Sequence, residues 1–88
     1  MSAKSDFLDQ PPSDARLTDY DREHLATYLR LLDAESEGAP WEEAAQVIFG
    51  VDPKADHARA LRLHESHLAR AHWMRNNGFR ELLKSSMH

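Results

Sequence analysis

Two interruptions constrain this chain more than anything else in it: "EGAP" at residues 37–40 and "GVDP" at residues 50–53. Each joins a residue tolerant of left-handed backbone to a proline that ends one helix and opens another. Between them lies "PWEEAAQVIFG", room for one short helix. Before them, Leu25, Tyr28, Leu29 and Leu32 recur at helical spacing from Thr18 onward, with Leu31 and His24 at the margin of the stripe. After them, residues 53–76 carry a long helical pattern with a bend near Asp56. No segment alternates as a strand would.

The expected fold is therefore all-α: three principal helices in a variant helix-turn-helix arrangement plus a short C-terminal helix. A tight connection of three or four residues between the second and third helices is part of that expectation. Residues 1–17 read as a flexible arm, with Phe7, Leu8 and Leu17 able to dock. Residues 18–84 read as the helical domain and residues 85–88 as a tail. In the second helix, Trp41, Ala44, Ala45, Val47 and Ile48 are expected to face inward, and Glu42 and Glu43 suit its first turn, where free amides favour carboxylates. In the third, Ala60, Leu61, His64, Leu68, Ala71 and Met74 form the expected core face. Arg59, Arg62, Ser66, Arg70 and Trp73 fall opposite it. "NNG" stops that helix, and "FRELL" supplies a last turn with Phe79, Leu82 and Leu83 returning to the core.

An 88-residue chain without cysteine has neither a disulfide framework nor a thiolate zinc site, so packing must hold it together. No basic, apolar leader and no long apolar run is present, which points to a cytoplasmic protein with no membrane contact. His57, His64, His67 and His72 crowd the third helix, but "HESH" lacks the i,i+4 pair of the His-Glu-x-x-His zinc motif. No metal, cofactor or small-molecule substrate is expected, His64 is the expected core histidine, and no nucleophile motif or phosphate loop suggests an enzyme.

Charge is divided unevenly. Residues 1–55 hold five Lys or Arg against twelve Asp or Glu, a formal −7, whereas residues 56–88 hold six against three, a formal +3. Duplex DNA binds through phosphate neutralisation, and an acidic scaffold opposes it. A protein partner with acidic patches fits the basic helix better, with Trp73 as an apolar anchor among Arg59, Arg62 and Arg70. Packing of Trp73 against the arm or "FRELL" is the structural alternative.

The blocks "GAPWEEAAQVIFG" and "NNGFRELL", with an arginine-bearing helix between them, resemble a proteobacterial family of variant helix-turn-helix domains. These occur at the C-terminus of type VI secretion transcription factors and in activators of conjugative-element transfer. Within it the chain is most similar to small antiactivators of rhizobial integrative and conjugative elements, some linked to quorum sensing. That resemblance implies a protein that binds a transcriptional activator containing a related domain, without specific DNA binding of its own. The partner-binding residues expected are Arg59, Arg62, Arg70 and Trp73. The alternative is a small helix-turn-helix DNA-binding transcriptional regulator.

Overall fold

The computed structural model describes residues 7, 8, 10–78 and 80. Among the described residues α1 (Asp19–Glu23), α2 (Leu25–Ser36), α3 (Trp41–Ala44) and α4 (His57–Trp73) follow one another. α3 runs on as a π-helical turn, Ala45–Phe49, and α4 as another, Met74–Gly78. No strand occurs among the described residues, so the fold is all-α and consistent with a variant helix-turn-helix arrangement. Arg80 is helical, but the expected packing of Phe79, Leu82 and Leu83, and the tail 85–88, lie outside the described residues.

The first helical segment is broken in two at His24. Thr18 caps α1 through a reciprocal box: its hydroxyl accepts from the Asp21 amide, and the Asp21 carboxylate accepts from the Thr18 amide at 2.9 Å. His24 leaves helical geometry at φ −117°, ψ 24°, and its ring stacks on Tyr20 with centroids 4.0 Å apart. α2 then ends before Gly38, whose φ of +76° is comfortable only for glycine.

α2 keeps Leu25, Tyr28 and Leu32 of the expected stripe against the core but exchanges Leu29 for Leu31. Leu31 is 1% exposed, while Leu29, placed in the inward stripe by periodicity, is 51% exposed. Leu31→Ala is therefore expected to destabilise the protein by about 2–4 kcal/mol through lost burial and a residual cavity. Leu29→Ala should stay within about 0.5 kcal/mol. Urea melts of the two variants check the orientation; equal losses would contradict it.

The π turn re-aims the end of the second helical segment. Ala44, Ala45 and Phe49 are buried, whereas Val47, expected inside, stands 76% exposed. Gly50 closes the turn at φ +73°. The connection to α4 is longer than expected, and Pro53 is buried in it rather than opening the helix. The Asp52 carbonyl accepts from the Ala55 and Asp56 amides and its carboxylate from the Lys54 amide, closing a separate turn. Asp56 then caps α4, accepting from the Arg59 amide at 3.4 Å.

Two apolar clusters make the core. Tyr28, Ala71 and Met74 form one, flanked by Leu17, Leu25, Leu32 and Trp73. Leu31, Phe49 and Leu63 form the other, flanked by Phe7, Ile48, Val51 and Leu68. The inward face of α4 is thus Ala60, Leu63, His67, Arg70 and Ala71, continued by Met74 of the π turn and rotated from the expected one. Leu61, His64 and Leu68 are only half-buried. In the N-terminal arm, Phe7 and Leu17, both expected to be able to dock, pack against the two core clusters, and residues 10–15 run alongside α4.

Candidate nucleic-acid interface

The second helix of a helix-turn-helix unit reads DNA with its N-terminal turns. The helix in the corresponding place along the chain is α4, held at its first turns by the Trp41 ring, which meets His57 edge-on at 5.5 Å and lies 6.0 Å from His64. Outward from α4 point Ala58, Arg62, Glu65 and Ala69, all exposed, with Arg59 half-buried beside them and Lys54 exposed in the preceding turn. The four residues expected to bind a partner therefore separate. Arg59 and Arg62 share the outer N-terminal half of α4, while Arg70 and Trp73 belong to a different environment.

Arg70 is 6% exposed and grips Asp21, which is fully buried, through Nε at 2.9 Å and Nη2 at 2.6 Å. Its remaining donors reach the Asp14 carbonyl at 2.7 Å and the Arg16 carbonyl at 3.0 Å. Tyr28 completes the cluster by donating to Asp21 Oδ1 at 2.9 Å. Burial works against the charge at Asp21, but hydrogen bonds from Arg70, Thr18 and Tyr28 outweigh it and hold the carboxyl below its ordinary range. The bond to Asp21 raises Arg70 in turn. Trp73 is half-buried, with the Arg70 guanidinium carbon 3.9 Å from its ring centroid, a cation–π contact, and with the arm alongside. The expected outer-face position of Arg70 is thus corrected: it is a fastener between α1, α4 and the arm.

His67, rather than His64, is the core histidine of α4. Its Nδ1 donates to the Leu63 carbonyl at 2.9 Å, so Nε2 is the acceptor for the Tyr20 hydroxyl at 2.6 Å. That hydroxyl also accepts from the Leu8 amide at 3.1 Å. Phe7 closes the cluster, its ring lying 4.8 Å from Phe49, 5.1 Å from His24 and 5.9 Å from His67. Burial pushes His67 down to about 4 and lowers His64. The other histidines have structural contacts too: His72 Nε2 meets Glu35 at 2.8 Å and its Nδ1 lies 2.9 Å from Arg75. Among the described residues, no group of three or more metal-ligating side chains converges. No described helix is long and apolar enough to cross a membrane.

Sequence reasoning missed Asp21, Tyr20, His67 and Leu63. The Thr18-x-x-Asp21 spacing carried a detectable signal as a capping box. Nothing local announces that the same carboxylate answers an arginine 49 positions away.

A transcription-factor family described as "T6SS, Transcription factor, DNA binding domain" (RovC_DNA-bd) matches residues 3–84. The chain belongs to that family. No curated protein matches the chain. Membership overturns two expectations at once: that the protein is an antiactivator working without DNA, and that no specific DNA binding occurs. The physical flaw lay in weighing the charge of a whole half-chain. Asp21 is neutralised internally by Arg70, Asp19 faces Arg22 at 3.4 Å, and Glu35 faces His72. A duplex meets the local surface of α4, and exposed charges more than about 10 Å away are largely screened at 0.1 M salt. The family's description is that of a transcription-factor DNA-binding domain, and its matched region spans the arm as well as the helices.

Proposed function

We propose that this chain is a helix-turn-helix DNA-binding transcriptional regulator that reads DNA with the N-terminal half of α4. The observation that carries the reading is the outward pairing of Arg59 and Arg62 on the first two turns of a capped helix that follows a tight turn. Their family's DNA-binding description supports it. In this reading Arg62 approaches base edges, where a guanidinium pairs best with guanine. Arg59 and Lys54 meet the phosphates on either side.

So few cations make the complex weak and sensitive to salt. With about two phosphate contacts, the logarithm of the association constant should fall against the logarithm of salt with a slope near −2. Arg62→Glu should cost at least tenfold in affinity, about 1.4 kcal/mol, while leaving the melting transition unchanged. Selection from a random duplex library, followed by fluorescence anisotropy at several salt concentrations, tests both. A flat salt response or an Arg62→Glu variant of undiminished affinity would remove α4 from the interface.

A further inference from the structure

The arm occupies a telling position on α4. Residues 10–15 form one wall of a shallow open cleft whose other wall is Ser66, Ala69, Arg70 and Trp73. Helical positions seven apart fall nearly on one line. Arg59, Ser66 and Trp73 share one such line, and Arg62 and Ala69 share the next. The arm therefore stands beside the continuation of the very surface that begins with Arg59 and Arg62, leaving Ala69 exposed but flanked by a second chain segment.

Its attachment is more than incidental contact. Phe7 is seated among His24, Phe49 and His67. The Leu8 amide is tied to Tyr20, and Arg70 holds the Asp14 and Arg16 carbonyls. The arm is thus fixed at both ends, with Pro11 and Pro12 half-buried between them.

Groove dimensions give this arrangement a consequence. A helix with its side chains is about 10–12 Å across, and the major groove of B-DNA is about 12 Å wide. A bare helix fits; a helix with a second chain segment along its side does not. At 17 residues, α4 is roughly 25 Å long, so its two halves can behave differently.

Resting on the DNA-reading proposal above, we infer that the docked arm is a specificity-determining fence: it confines base reading to the first turns of α4 and withholds Ser66 and Ala69 from the groove. Both withheld residues are of types that read bases, a serine hydroxyl bonding to several base edges and an alanine methyl packing on the thymine methyl. Releasing the arm lengthens the read site on the side of α4's C-terminal half. Arg70 stays with Asp21 in either state.

The full-length protein allows the arm to be freed or fastened. Phe7→Ala combined with Leu8→Pro removes the seated ring and the amide that bonds Tyr20. Ser13→Cys with Ala69→Cys puts the only two thiols of the chain on opposite walls of the cleft, for closure by a short bismaleimide linker. Duplex libraries are selected with wild type, the freed variant and the linked variant, and the Trp73 indole NMR signal reports the arm's position. Wild type and the linked protein are expected to select the same short site. The freed variant is expected to specify one or two additional base pairs on one side, with a mismatch there costing about tenfold. An identical site from the freed variant, with the Trp73 signal shifted, overturns the inference and leaves DNA reading intact. Loss of binding in the linked protein, or a shorter site than wild type selects, overturns it too and does not depend on the freed variant folding. Absence of any selected sequence from all three proteins defeats the DNA-reading proposal itself.

Discussion

Arg70→Ala is expected to cost about 3–5 kcal/mol of folding stability, the largest effect of any single substitution on this surface. Removing the guanidinium leaves Asp21, which is 0% exposed, with only Thr18 and Tyr28 as partners for a buried negative charge. It also orphans the Asp14 and Arg16 carbonyls that the same group satisfies. Small domains have about 5–15 kcal/mol of stability in all, so the variant should be partly unfolded at physiological temperature. The pair itself need not be worth that much. Taking both charges out of water is costly, and Asp21→Asn with Arg70→Met should recover a large part of the loss because no lone charge remains. Urea unfolding followed by circular dichroism measures the three proteins. A loss below about 1 kcal/mol in Arg70→Ala would mean that the Asp21 cluster does not hold α1 to α4.

The second large effect is a loss of stability in mild acid, centred on His67. Its folded pKa of about 4 lies below the ordinary histidine value because burial disfavours the charged ring. As pH falls below about 6.5 the unfolded chain takes up this proton first, so the contribution is complete above that pH. It is lost progressively down to about pH 4. Integrated over that window, the loss is about 3 kcal/mol. His64 adds to it in the same sense, its pKa also being lowered by burial. Asp21 works in a separate, lower window, since its carboxyl is held below the ordinary range. The Tyr20 hydroxyl, the Leu63 carbonyl and the Phe7, Phe49 and His24 rings all face His67. His67→Gln should be less stable at pH 7.5 but show a flatter stability profile between pH 6.5 and 4.5. Direct NMR titration of the His67 ring decides the point: a midpoint near 6.5 would contradict the buried, neutral ring described above.

The helix stops near Gly38 and Gly50 were legible because they depend on local chemistry, whereas the break at His24 and the start of α4 at His57, beyond Pro53, were not. Gly38 and Gly50 adopt the positive φ that their positions suggested, and all-α architecture followed from the spacing between them. The side that each helix buries was legible only in part. On α4 the buried stripe Ala60, Leu63, His67 and Ala71, continued by Met74 of the π turn, is regular, yet it passes through a histidine and is flanked by an arginine. Hydrophobic periodicity penalises both, because their partners, Tyr20 and Asp21, lie 47 and 49 positions away. On α2, Leu29 and Leu31 are chemically identical, and only the packing of Phe49 and Leu63 selects the latter. In the arm, the docking of Phe7 and Leu17 was open to their apolar side chains, whereas the hold on Asp14 and Arg16 was not legible because it runs through backbone carbonyls that any sequence would offer. For the site, Arg59 and Arg62 were identifiable as exterior cations on the third helix. The expectation of no specific DNA binding was mistaken because net charge does not record which carboxylates are buried, paired or remote.

The central claim is that α4 enters the groove by its N-terminal half, and amide NMR spectra of the labelled protein titrated with a selected duplex test it most directly. The account predicts the largest shifts at Lys54, His57, Ala58, Arg59 and Arg62, fading along α4 toward Ala69, with Leu29 and Arg30 on α2 unmoved. Shifts concentrated on α2, or an unchanged spectrum at saturating duplex and low salt, would contradict it.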